Sequence, residues 1–386
     1  MHSRVGRVLK DDKGGPRSHS RRWTSFSKAT LDCEIPGDSP FQFTEIQSTT
    51  RRIRKNGKDM VYAVFATNRN SLAASAICAY SFDDIRKAFN GPFMGKYSPK
   101  SEWIKVSDYE VPNPRPGSTL VKESRQISEA AVNFIMMYPF MYDHVQPIYQ
   151  QPIFVFSQDK NNARLSRIVV DEDITGVDGS THDVIFMGTD DGRVLKVIYN
   201  EDDAAEKVNA VVLEDLEVLG NAKRVVNMYR YREEGKPAKI VVIGDEQIKA
   251  LPVHRCNLVK SCRDCVKLQD PYCAWDTMGK DHCFNVDSGS YENKHSCYVQ
   301  DVRSGKSSLC PQLISHLGDE DGSNGTMLSG ISGDSLQANG LQRYPTVPFR
   351  RFSRFIYGET SVKDKAHSRG HITATTDKKI RKVEER

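Results

Sequence analysis

CRDCVKLQDPYCAWD, residues 262–276, is the stretch on which the reading of this chain turns. Fifteen residues carry three cysteines, an Asp-Pro turn signal and two aromatic side chains, Tyr272 and Trp275. The stretch lies in a window from Cys256 to Cys310 that holds seven of the nine cysteines, about 13%, above the ~8–10% that marks a disulfide scaffold. Two chemistries compete for such a window. Cys262, Cys265, Cys273 and Cys283 with His282 could close a tetrahedral zinc site. Uneven gaps, the number of cysteines and two aromatic side chains suited to pack on bridges favour disulfides. The other two cysteines, Cys33 and Cys78, lie far upstream and could form one bridge or stay as two buried thiols.

Upstream of the window the pattern is short β-type runs closed by Gly, Asn or Asp: MVYAVFA (60–66), ASAICAY (74–80), IFVF (153–156), SRIVVD (166–171), VIFMG (184–188), RVLKVIY (193–199), VVLEDLEVL (211–219), VVNMYRY (225–231) and AKIVVIG (238–244). Between VIFMG and RVLKVIY the string TDDG predicts a hairpin, with Asp191-Gly192 suited to a tight primed turn. The fold class expected is therefore all-β, a sandwich, barrel or propeller. Two stretches break the pattern. SFDDIRKAFNG (81–91) has a Ser cap, early acids, apolar Ile85, Ala88 and Phe89 and a closing Gly, which predicts a short amphipathic helix. SEAAVNFIMMYPFM (128–141) predicts a second helix, stopped at Pro139.

The chain of 386 residues carries 55 Lys and Arg against 50 Asp and Glu, too even a balance for a nucleic-acid partner. Positive charge concentrates at the end: residues 343–386 hold 12 Lys and Arg against 5 Asp and Glu, so the rest is slightly acidic. No run of about 18 apolar residues occurs, and MHSRVGRVLKDD (1–12) lacks the apolar core of an export signal. Catalytic constellations are missing as well. His144, His182, His254 and His282 are isolated, and neither a Gly-x-Ser-x-Gly elbow nor a phosphate loop is present, so an enzyme, a cofactor and a metal are not expected. Asp190-Asp191 reads as a turn rather than a calcium site. Asn324-Gly325-Thr326 is a glycosylation sequon, Asn324 being the acceptor, and RRFSR (350–354) is a basic string that could meet acidic glycans.

The stretch at 262–276 closely resembles the PSI module of semaphorins, in the form of the invertebrate class-1 proteins. Further strings follow semaphorins in the same order: WTSFSKATLDCEIPGDSPFQFTEIQS (23–48), SAICAYSFDDIRKAF (75–89), VPNPRPG (111–117), VIFMGTDDGRVLKV (184–197) and LPVHRC (251–256). The resemblance covers about residues 3–311. It implies the C-terminal part of a seven-bladed sema β-propeller at 1–254 with a helical insertion at 81–141, a PSI module at 255–311, and a polar then basic tail at 312–386 expected to be unpacked. It also implies bridges Cys33–Cys78, Cys256–Cys273, Cys265–Cys283 and Cys262–Cys310, leaving Cys297 unpaired. Where semaphorins place a further cysteine pair, this chain has Leu9 and Thr119, so both halves are absent together.

At ~40–45 residues per blade, seven blades do not fit in 254 residues, so the chain is expected to begin within the propeller and to expose strand edges. The function implied is that of an extracellular or cell-surface guidance ligand that binds a plexin-type receptor, with homodimerisation once the propeller is complete and the insertion contributing to the dimer contact. A sema- and PSI-containing receptor ectodomain, plexin-like or Met-like, is the first alternative; an intracellular zinc-binding protein is the second.

Overall fold

The computed structural model describes the chain apart from residues 1, 69, 119–122, 158–161, 203–206, 221–222, 234–235, 278–281, 287–296, 312–370, 377–378 and 385–386. In chain order, β1 (Arg4–Val8) pairs antiparallel with β2 (Ser27–Thr30), and β3 (Glu34–Ile35) pairs with β4 (Phe41–Gln42). Next come β5 (Glu45–Thr49), β6 (Ile53–Lys55), β7 (Lys58–Ala66) and β8 (Ala74–Ser81). The insertion then supplies α1 (Phe82–Asn90), β9 (Phe93–Gly95), β10 (Ile104–Lys105), α2 (Glu129–Met137) and β11 (Phe140–Met141). β12 (Phe154–Ser157) returns to the edge of β8, giving the order β12-β8-β7-β5, with β6 also on β7. β13 (Leu165–Thr175), β14 (Thr181–Thr189), β15 (Arg193–Asp202) and β16 (Lys207–Glu217) form a four-stranded antiparallel meander, and β17 (Asn227–Tyr231), β18 (Lys239–Ile243) and β19 (Ile248–Pro252) a three-stranded one.

These sheets are the blades of an incomplete propeller, and the strand period explains why they stack. Successive residues of a strand point to opposite faces, and here both faces are covered. Val61, Ala63 and Phe65 of β7, with Ala76, Cys78 and Tyr80 of β8, pack against α1, Phe93 and Met141. The alternate residues Tyr62, Val64, Ile77 and Ala79 pack instead against Ile168, Val170, Ile185, Met187, Leu195 and Val197 of the next blade. That blade turns Val184, Phe186, Val194 and Ile198 the other way, toward Met228, Ile240 and Val242 of the three-stranded sheet.

A chain of polar side chains runs through the contact between the first two of these blades. The Tyr62 hydroxyl donates to Asp183 Oδ2 at 2.6 Å and lies 2.6 Å from the Tyr199 hydroxyl. Lys55 Nζ donates to Tyr199 Oη (2.6 Å) and Glu201 Oε1 (3.0 Å), and Tyr149 donates to Glu201 Oε1 (2.7 Å). Each buried hydroxyl thereby has the partner that burial requires.

Helix α1 starts where the sequence signals it: the Ser81 hydroxyl accepts from the Asp83 amide, and Phe82, Ile85, Ala88 and Phe89 are buried. Ser128 caps α2 in the same way, accepting from Ala131 N. The insertion is not a free appendage, because β9 and β11 extend the sheet of β1 and β2 in the order β10-β9-β11-β2-β1.

One expectation needs correcting. The turn between β14 and β15 holds three residues, 190–192, and only Gly192 among them has positive φ (+93°). This is the longer loop in which a single left-handed Gly closes the hairpin, not a two-residue primed turn. Most of the tail, residues 312–370, lies outside the described residues; beyond it β23 (His371–Thr376) pairs antiparallel with β24 (Lys379–Glu384) and with β1. The β-branched run HITATT favours an extended chain, and the edge of β1 offers it N–H and C=O groups to pair with.

Candidate recognition site

The bridged frame holds the parts in place. Cys33, just beyond β2, is joined to Cys78 in the middle of β8, so the bridge ties two neighbouring sheets, and both cysteines are buried in the core shared with α1. Behind β19, Cys256 is joined to Cys273, Cys265 to Cys283 and Cys262 to Cys310. The thiolates that a zinc site would need at Cys262, Cys265, Cys273 and Cys283 are thus taken up in three disulfides. Cys297 lies outside the four bridges, half-buried, with its carbonyl accepting from the amide and hydroxyl of Thr277. Asn324 and the string at 350–354 lie outside the described residues, as does Thr119; Leu9 N donates to Ser25 Oγ.

The module itself is small: α3 (Cys262–Lys267), β20 (Cys273–Asp276), β21 (Cys283–Asn285) and β22 (Tyr298–Val299), with β20 in the middle. Its core is not separate from the propeller. Cys256, Cys265, Tyr272, Cys273, Trp275 and Cys283 belong to the same cluster as Val184, Phe186, Ile240 and Leu251. Tyr272 and Trp275 therefore pack on the bridges, as their place in the motif suggests, and also against the last blades.

A buried set of charges crosses the same junction. Lys196 on β15 and Asp270 of the module pair at 2.5 Å, their side chains 1% and 4% exposed. Lys196 Nζ also sits 4.7 Å from the centre of the Tyr272 ring. The Tyr272 hydroxyl donates to Asp171 Oδ2 on β13 at 2.6 Å, and Arg230 on β17 pairs with the other Asp171 oxygen at 2.5 Å. Arg255 pairs with Glu214 on β16. Two blades and the module thus meet through one polar network. Burial pushes the Lys196 ammonium below its ordinary range, with Asp270 pulling the other way, and burial beside Asp171 pushes the Tyr272 phenol far above its own. The sequence does carry a signal for this site: in RVLKVIY, Lys196 shares a face with Val194 and Ile198, where an apolar residue would be the rule.

The insertion offers a different surface. Arg7 of β1 and the insertion's own Arg115 brace it. Arg7 stacks on the Phe89 ring at 4.6 Å and donates to the Gly117 carbonyl at 3.1 Å, while Arg115 stacks on Phe93 at 4.2 Å and donates to the Gly91 carbonyl. Desolvation, aided by Arg115, lowers the Arg7 pKa to about 10. The insertion exposes Tyr97, Trp103, Tyr109, Met136 and Met137. Trp103 is held edge-on against Phe140 at 5.7 Å and lies under Lys96 at 4.9 Å. Amphipathic aromatic side chains held by neighbours suit a protein contact better than a small-molecule pocket.

Beside the Cys33 bridge, His144 Nδ1 lies 2.9 Å from Asp32 Oδ2, which also accepts from Gln146 Nε2 at 2.6 Å. The bond to Asp32 raises the His144 pKa, against partial desolvation and Arg4 and with help from Asp143. A raised pKa means stabilisation present in full below the ordinary value of 6.5 and lost as pH climbs past the folded-state value. The pair is partly exposed, so the effect is modest: Tm should be higher at pH 6 than at pH 8 by no more than about 2 °C from this source. His144→Gln should flatten that difference in thermal melts; an unchanged pH profile in the variant would remove His144 as its cause.

Residues 44–231 match the Sema domain family. Semaphorin-1A of Schistocerca americana is 39% identical over 317 residues, which is 80% of this chain and 43% of that protein. Among solved structures, extracellular domains 1–2 of Drosophila Semaphorin 1b superpose with a TM-score of 0.74 at 35% identity, over 81% of this chain and 61% of the other. A structure of Drosophila Plexin A in complex with Semaphorin 1b also gives 0.74, at 36% identity and the same coverage. The chain spans less than half the length of the curated relative. Over some four-fifths of its own length it follows semaphorins in sequence and in fold, and it belongs to the semaphorin family.

Proposed function

We propose that this chain is the recognition part of an extracellular or cell-surface guidance ligand that binds a plexin-type receptor and so steers axons and migrating cells, without catalysis. We place its sema part at 1–254 with the insertion at 81–141 and its PSI module at 255–311. The observation that supports this most is the likeness, at a TM-score of 0.74, to the structure of Semaphorin 1b with Plexin A. The geometry is consistent with it. Stacked blades and a bridged module make a stiff support, loops and the insertion stand out from it, and four disulfides suit an oxidising compartment. Homodimerisation of the complete propeller through the insertion would bring two receptor chains together and act by avidity. The glycan on Asn324 and contact of the basic tail with acidic glycans belong to the same proposal.

The test is binding of the tagged chain to cells that display a plexin extracellular region. Binding should exceed that to untransfected cells by at least about ten-fold and should saturate. A parallel arm displays a semaphorin ectodomain instead. Preference for that arm would favour the receptor reading, and equal binding to all cells would overturn the ligand reading.

A further inference from the structure

We propose that the Cys262–Cys310 bridge is a thiol-exchangeable clamp that sets where the chain leaves the module. The four bridges differ in access. Cys33, Cys78, Cys256, Cys273, Cys265 and Cys283 are all buried, whereas Cys262 and Cys310 are only half-buried. The pair lies in the wall of an open cleft together with Lys260, Arg263, Trp275 and Ser307. Exchange needs a thiolate to reach a sulfur in line with the bond, so access orders the four bridges kinetically, and the two cations in the wall favour both an incoming and a departing thiolate.

What the bridge holds is equally specific. Up to Arg303 the chain is kept on the module by other means. Gln300 Nε2 donates to the carbonyls of Pro271 (3.1 Å) and Cys273 (2.9 Å), Gln269 Nε2 donates to those of Val302 (3.1 Å) and Arg303 (3.0 Å), and β22 pairs with β20. Past Lys306 the helical turn Ser307–Leu309 buries none of its residues, and Leu309 is exposed. Opening the bridge therefore frees the last residues before Pro311 and leaves the bonds further back in place.

The chemistry is thiol exchange with a small monothiol such as glutathione. Its thiolate attacks one sulfur of the bridge, forming a mixed disulfide as the S–S bond breaks and the other cysteine leaves as a thiolate that takes up a proton. A second thiolate attacks the mixed disulfide, releasing the second cysteine and the oxidised small disulfide. Two small thiols are oxidised as one protein bridge is reduced.

The folded chain, with Cys297 first blocked by alkylation, is incubated in graded glutathione. Newly exposed thiols are trapped with a second alkylating reagent and mapped by mass spectrometry over time. Cys262 and Cys310 should label at least about ten times faster than the other six. Labelling of Cys256, Cys273, Cys265 or Cys283 at the same rate or sooner overturns the proposal. A Cys262→Ser/Cys310→Ser variant gives a second reading by hydrogen exchange: faster exchange confined to residues 307–311 supports the clamp, and loss of protection in β20 as well overturns it.

Discussion

Asp270→Ala is expected to destabilise the chain by about 3–5 kcal/mol, because it leaves the Lys196 ammonium buried without a partner. The same pair, taken whole, is a weak source of net stability, since both charges had to leave water. Burial lowering the Lys196 pKa is the trace of that cost. A double substitution, Lys196→Met with Asp270→Asn, should therefore recover more than half of the loss. Asn at 270 keeps an oxygen for the Tyr272 amide, which donates to Asp270 Oδ1 at 3.1 Å. Denaturant midpoints of the parent, the Asp270→Ala variant and the double variant measure this, and hydrogen exchange over residues 262–276 shows whether the module loosens from β15. A midpoint for Asp270→Ala no lower than that of an exposed Asp variant would mean that the pair does not hold the junction.

Loss of the Cys33–Cys78 bridge should be comparably severe. The two cysteines are 45 residues apart, for which the loop-entropy relation gives about 4 kcal/mol. Both side chains also sit in the core between β8 and α1, so alanine at both positions removes packed sulfur along with the constraint. Thermal midpoint and limited proteolysis of the double alanine variant report the effect. Cleavage should appear first between residues 31 and 44, the stretch that the bridge ties to β8. A variant that melts within a degree or two of the parent would show that the sheets on either side need no staple. The contrast with Cys262–Cys310 is one of place: one bridge joins two sheets through a core, the other secures an exit at the surface.

Local patterns were legible where local physics decides them. Ser81 capping α1 and the apolar set Ile85, Ala88 and Phe89 belong to nine consecutive residues and need no distant partner. The long strands β7, β8, β14 and β15 could be read from continuous apolar runs. Short strands such as β9 and β11 could not, since two or three residues carry no period and form a strand only because a partner lies alongside, β10 and β11 for β9, β9 and β2 for β11. The pairing of the seven module cysteines was equally beyond spacing alone, which admits many connectivities; it came from the family likeness of CRDCVKLQDPYCAWD.

The sequence by itself determined that the chain is built of β-strands with a helical insertion, that its cysteine-dense end is a stapled module, and which family that module resembles. Only the tertiary structure decided what covers each face of each strand. Alternation assigns Tyr62 and Val61 to opposite sides of β7, but it does not say that one side meets the next blade and the other meets α1. Nor does it say that Lys196 is buried or that the module has no core of its own. A charge enters the interior only when its partner is already there, and for Lys196 that partner is Asp270, 74 residues away in the chain and brought near solely by the docking of the module on the last blades.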